Sequence, residues 1–308
     1  MVQLDDMQKR MIEELTELHE VPVGAYNFRA NSKLAGRNTT ANIDIVSKED
    51  GSRIDIKIKP GTKNESVHIP VVLTQSGLKE VVYNDFYIGE DSDVVIVAGC
   101  GIDNCGSQDS RHDGVHRFYV GKNAKVKYVE KHYGSGSGAG KRILNPVTEV
   151  YMEEGSTMEM EMVQIKGVDS THRTTIGQLK ANAKLVVHER LMTHGEQNAY
   201  SVYKIELNGE GSSADVVSRS VARDDSYQKL DMCIVGSAPC SGHTECDSII
   251  MDNGRILAVP SLEANNVDAQ LVHEAAIGKI AGEQLVKLMT LGLTEAEAEE
   301  QIINGFLK

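Results

Sequence analysis

The chain has no tryptophan, only four phenylalanines and six prolines, and 5% aromatic residues among 308. That scarcity leaves little for the aromatic-rich groove of a carbohydrate-active β-helix enzyme. A basic face is missing too. Lys and Arg number 32 against 45 Asp and Glu, a net charge of −13. Nucleic-acid binding needs cations to neutralise phosphates, and docking on an anionic membrane needs the same, so both are excluded as expectations. No run approaches the roughly 18 consecutive apolar residues of a membrane helix. The stretch Met1 to Glu20 is acidic and has no apolar h-region, so no signal peptide is expected. Five cysteines, an odd number unevenly spread, do not make a disulfide framework in so large a chain. The expectation is a soluble, cytoplasmic protein with reduced thiols.

What the chain has instead is 28 glycines and a strong period-two pattern. A first helix is expected from Met7, Met11, Ile12, Leu15 and Leu18, stopped by Pro22. From about residue 41 the apolar period becomes two: Ile54, Ile56, Ile58; then Val126, Tyr128; then Met158, Met160, Met162. Several strands share a preamble of a glycine or small residue and a polar step. Taking Ser92, Ala124, Thr157, Ala183 and Ser213 as equivalent points gives spacings of 32, 33, 26 and 30. Strands recurring at that distance without helices between them favour a parallel β-helix over a large β-sandwich. Near the C-terminus, Leu285, Leu288 and Met289 share a helical face and Gly292 offers a stop. Thr294 to Glu297 reads as a capping box opening a second helix with Ala298, Ile302 and Phe306 on its apolar face. The expected organisation is an N-terminal helical segment (1–40), a mainly-β core (41–275) and a helical hairpin (276–308). That hairpin would cap the solenoid, present an apolar groove to a partner, or both.

Tyr133 to Lys141, rich in Gly and Ser, is not a phosphate-binding loop: Ser135 stands where the first Gly is required, and Arg142 where Ser or Thr would hold magnesium. It reads as a flexible surface loop, and no nucleotide site is expected. Cys240, His243 and Cys246 recur every three residues, and Cys100 and Cys105 form a second pair. Thiolate with imidazole suits zinc or iron–sulfur ligation, although cysteine is equally a small core residue. Cys233, in the apolar run Leu230 to Val235, fits the core. His273 and Glu274 are either a satisfied structural pair or metal ligands with Cys246. His112 and His116, flanking Asp113, are a further candidate site. No G-x-S-x-G elbow supports a hydrolase.

The segments Cys246-Asp-Ser-Ile-Ile, Ala269-Gln-Leu-Val-His-Glu-Ala275, Gly292-Leu-Thr-Glu and Asn304-Gly-Phe306 resemble the C-terminal core of the SufB/SufD family, scaffold proteins of iron–sulfur cluster assembly. The resemblance is strongest from Val221 to Lys308 and extends more loosely back to about residue 80. It suggests the compact SufB-like form of archaea and anaerobes. It implies a right-handed parallel β-helix that dimerises with itself or with a related SufB/SufD chain. It further implies a transient iron–sulfur cluster passed to apo-acceptor proteins, held by Cys246, His273 and Glu274; Cys240 and His243 lie outside the family pattern and are expected only as supplementary ligands. A SufC-type ABC ATPase is the implied partner, bound through Leu285, Leu288, Met289, Ile302 and Phe306, and ATP hydrolysis belongs to that partner rather than to this chain. Two positions depart from the bacterial pattern. Val272 replaces a Glu, and Thr148, after Pro146, stands about where a sulfur-accepting Cys is expected, which favours direct use of sulfide. The competing expectation is a structural zinc-binding β-helix, or one that only regulates an ATPase.

Overall fold

The computed structural model describes residues 3–17, 22, 24–48 and 53–308. Among these residues, twenty strands, β1 to β20, form two mixed but mostly parallel ten-stranded sheets, and helix α1 precedes them while α2 and α3 follow. From β4 onward the chain alternates between the two sheets, β10 and β11 together forming one pass, so the whole is a flattened parallel β-solenoid of about eight turns. Sheet A runs through β5 (Lys63–Leu73), β7 (Asp93–Asp103), β9 (Lys125–Ser135), β12 (Thr157–Lys166), β14 (Lys184–Thr193), β16 (Ser213–Ala222), β18 (Cys240–Ile250) and β20 (Ala269–Gly278). Sheet B faces it, with β4 (Arg53–Ile58), β6 (Lys79–Ile88), β8 (Ser110–Val120), β10 (Arg142–Leu144) with β11 (Val147–Met152), β13 (Ser170–Leu179), β15 (Asn198–Leu207), β17 (Tyr227–Gly236) and β19 (Arg255–Ala264). The alternating runs fill the lumen between them: Val126, Tyr128, Met158, Met160 and Met162 are all buried.

The recurring preamble is a corner. Asp91, Asn123, Gly155, Asn182 and Gly211 each take positive φ. Each also donates its N–H to the next turn, Asp91 to Lys122 O at 2.9 Å and Asn123 to Glu154 O at 3.0 Å among them. Gly, Asn and Asp tolerate that conformation at least cost. A small buried residue follows each corner, Ser92, Ala124, Ser156, Ala183 and Ser212, and Cys240 after Pro239 continues the series. Lys125 pairs with Thr157 and Lys184 with Ser213. The equivalent points are therefore Ser156 and Ser212, one residue before those taken from the pattern, and Cys240 belongs to this stack.

Three expectations change. The first forty residues are not only helical, because β1 (Ala25–Ala30) adds to sheet A beside β5 and β2 (Lys33–Asn38) pairs back on it. Helix α1 (Asp6–Thr16) lies against this start of sheet A, its Met11, Ile12 and Leu15 buried with Phe28 and Val72, while Met7 is exposed and Leu18 falls outside the described residues. Gly101 is the contact point: a Cβ there would sit 2.8 Å from Met11 Cε. Second, the Gly/Ser stretch is an ordered corner, with Gly138 N–H to Asn104 O and Gly140 N–H to Gly106 O, both 3.0 Å; a Cβ on Gly138 would meet Gly106 O at 2.2 Å. Third, the C-terminal hairpin does not cover the end of the stack. Helix α3 (Glu295–Phe306), capped by Thr294 and Glu297, buries Ile303, with Leu307 just beyond it, against Val221 and Met251 at a side corner. Ile302 and Phe306, expected on its apolar face as partner-binding residues, are half-buried there. Strands β19 and β20 keep open edges, with inward-facing Leu262 and Ile277 exposed.

Candidate functional site

Strand alternation sorts the candidate residues by face. On β18, Cys240 and Cys246 point into the lumen and His243 points out, so three positions spaced by three do not converge on one ion. Cys246 is buried with Sγ 3.4 Å from Met232 Sδ. Burial, then the charges of Glu189 and Asp247, push its thiol up to about 12. On β20, His273 also faces inward, opposite Thr244, whose Oγ1 lies 2.6 Å from Nδ1. Its Nε2 is buried and has no hydrogen-bond partner among the described residues. Burial and the neighbouring His243 lower its pKa, which keeps the ring neutral and able to ligate. Cys246 pairs with Ala275, two positions beyond His273 on the same wall, roughly 8 Å away diagonally at normal strand spacing and rise. Glu274 is on the other face of β20, exposed and directly opposite Glu245.

The remaining candidates lie elsewhere. Cys100 is buried in the lumen, whereas Cys105 is exposed in the corner after β7, 3.5 Å from Asp103 Oδ2. Cys233, expected in the core, is half-buried on the outer face of β17, because the strand turns its even-numbered residues inward. His112 and His116 both point inward and Asp113 outward, where it pairs with Arg111. His112 Nδ1 lies 3.3 Å from Glu80 Oε2, itself paired with Arg29. Burial opposes protonation of His112, but Cys100 and Glu80 outweigh it and push its pKa up to about 10. His116 meets Tyr128 OH at 2.8 Å and Asn84 at 3.2 Å. Thr148 is buried between His116 and Thr175, its hydroxyl without a partner among the described residues.

Sequence reading missed the polar file that joins these groups. Arg173 bridges Glu130 and Glu189, and Glu189 accepts hydrogen bonds from Ser201 Oγ at 2.6 Å and Ser218 Oγ at 2.7 Å. Ser218 pairs with Cys246 across the sheet. The signal was present: Glu130 and His132 occupy the inward positions of the run that begins Val126, Tyr128.

Residues 81–306 match the family described as "SUF system FeS cluster assembly, SufBD core domain". The chain belongs to the SufBD family. Among its curated relatives is an iron-sulfur cluster assembly SufBD family protein of Methanocaldococcus jannaschii, 27% identical over 277 residues, 86% of this chain and 84% of the relative. One from Archaeoglobus fulgidus is 30% identical over 269 residues, 86% and 70% of the two chains. One from Pyrococcus horikoshii is 28% identical over 289 residues, 90% and 85%. The SufBD match covers the solenoid from β6 onward and both C-terminal helices. Among the described residues, no helix is long and apolar enough to cross a membrane.

Proposed function

We propose that this SufBD chain is a scaffold on which an iron–sulfur cluster is built and from which it is released, with Cys246 and His273 as ligands from this chain. The supporting observation is the pair itself. A thiol and an imidazole with a free, buried Nε2 share one wall of the lumen on the last two strands of sheet A, beside open strand edges. Iron binding must expel the Cys246 proton, which burial otherwise retains, so loading is coupled to proton release. A mixed thiolate and imidazole set is softer on one side only, which suits a cluster meant to be passed on.

The open edges of β19 and β20 offer a second scaffold chain, identical or related, unpaired backbone donors and acceptors. Such a partner would complete the ligand set, since Glu274 faces away from the lumen. A SufC-type ATPase is the proposed partner of the helical hairpin. Helix α2 (Gly282–Met289) has no buried residue, and Val286, Met289 and Leu291 are exposed. The zinc reading draws less support, because Cys240, His243 and Cys246 are divided between two faces.

The test is iron and acid-labile sulfide content, with the visible spectrum, of protein purified anaerobically with its ATPase partner. Iron and sulfide in comparable amounts, lost in Cys246→Ala, support the scaffold. Zinc alone, or no metal after anaerobic reconstitution, overturns it.

A further inference from the structure

On the outer face of sheet A, behind Cys246 and His273, a second set of ligating side chains converges. His243, Glu245 and Glu274 bring one donor atom each to within 4.8 Å of one another. Parallel pairing explains the meeting. Glu245 stands opposite Glu274 on adjacent strands, and His243, two residues earlier on β18, shares their face. Two carboxylates directly opposite in a sheet repel each other. Neither forms a salt bridge among the described residues, and Asp247, two residues on and opposite Arg219 of β16, adds a third acid beside them.

The imidazole is oriented from behind. His243 Nδ1 lies 2.8 Å from Asp215 Oδ1 on the neighbouring strand β16. A carboxylate on one ring nitrogen fixes the tautomer and leaves the other nitrogen as the ligand, the usual outer-shell arrangement of a metal-binding histidine. Donors sharing one ion tetrahedrally at about 2.0–2.2 Å lie roughly 3.3–3.6 Å apart, so small rotations, chiefly of exposed Glu274, complete the site. Access is free, since Glu245 also lines a groove of about 640 Å³ on this face.

We infer that His243, Glu245 and Glu274 form a binding site for a first-row divalent cation on the outer face of sheet A, oriented by Asp215. One imidazole and two carboxylates suit iron(II), manganese(II), cobalt(II) or zinc. Naming iron(II) as the physiological ion rests on the scaffold reading above; the site itself does not. Glu274 thereby leaves the lumen pair and serves an entry site one sheet thickness away.

The probe is cobalt(II), titrated anaerobically into the whole chain and followed by its visible spectrum. One bound ion without a thiolate charge-transfer band is expected. Asp215→Asn is expected to weaken binding about 10- to 100-fold, and Glu245→Gln with Glu274→Gln to abolish it, with far-UV circular dichroism unchanged in both. Absence of cobalt binding by the folded parent overturns the inference, as does a thiolate band that vanishes in Cys246→Ala while Glu245→Gln binds normally. Failure of the scaffold reading looks different: cobalt binds, but reconstitution yields no acid-labile sulfide.

Discussion

Arg173 and Glu130 form an ion pair inside the solenoid with both side chains 3% exposed or less. Arg173 also lies 3.5 Å from Glu189, so one guanidinium neutralises two buried carboxylates. Removing one member of a buried pair leaves an uncompensated charge. Arg173→Met is therefore expected to lower stability by about 3–5 kcal/mol, and adding Glu130→Gln should recover part of the loss. Urea unfolding reads both. A midpoint for Arg173→Met equal to that of the parent would show that the file is not coupled.

The lumen histidines set the acid limit. Burial, despite the opposing charge of Glu130, pushes His116 down to about 4 and His132 down to about 3. Both are neutral in the folded protein, while in the unfolded chain they take up protons below about 6.5. The unfolded state thus binds more protons between those limits, and stability falls there as the pH is lowered. Burial alone would raise Glu130, but His132 and Arg173 hold it at about 2, adding a loss that begins only below its unfolded value of 4.5. A tenfold difference in proton affinity between the folded and unfolded chains is worth about 1.4 kcal/mol. Stability is therefore expected to drop by several kcal/mol, mostly between about pH 6.5 and 4. Equal urea midpoints at pH 7 and pH 5 would contradict this.

Thiol reactivity separates the five cysteines. Cys105 is exposed and Cys233 half-buried, whereas Cys100, Cys240 and Cys246 are buried. With its thiol pushed up to about 12, Cys246 holds almost no thiolate at neutral pH. Cys105 is expected to react first with a thiol reagent, and Cys100, Cys240 and Cys246 only on unfolding. In a complex with the proposed ATPase partner, ATP-dependent labelling of Cys246 would mark opening of the proposed scaffold; labelling of Cys246 in the free native chain at the rate of Cys105 would refute its burial.

The helical hairpin divides into an anchor and a free surface. Ile303→Ala removes a residue packed on Val221 and Met251 and is expected to cost about 2–4 kcal/mol in docking of α3, read by hydrogen exchange of that helix. Val286→Glu and Met289→Glu should leave stability within about 0.5 kcal/mol yet, under the proposed partnership, abolish binding of the ATPase in a pull-down. Normal binding by both variants would place the partner elsewhere.

Much of the architecture could be read from the residues. Period-two runs at a spacing near thirty demand strands stacked in register, and the solenoid follows. The exact register did not, because Thr157 and Ser213 resemble the small residues just before them; only backbone pairing shows that Ser156 and Ser212 occupy the corners. The family motif pointed to Cys246, His273 and Glu274. Which face each side chain takes is a strand property, and a three-residue spacing read as a cluster becomes two faces once the segment is known to be β18. Cys233 failed for the same reason, since an apolar neighbourhood in sequence is not an inward direction. His243 could not be paired with Asp215, 28 residues away, until the turns were stacked.

The two exposed rims of the stack are not equivalent templates. On β19, Arg255 N–H donates back to Ser226 O at 3.0 Å, and beyond the strand Asn265 N–H donates to Gly236 O at 2.8 Å. Odd-numbered amides there face the body of the protein and even-numbered ones face outward. Pro260 is even-numbered, so the outward row of donors on sheet B has a gap at its middle. Strand β20 contains no proline and offers an uninterrupted row. An incoming strand is thus zipped along its length on one rim and only in two short pieces on the other. Any assembly grown from this end inherits that handedness of grip, and the unbroken rim is the one that carries His273.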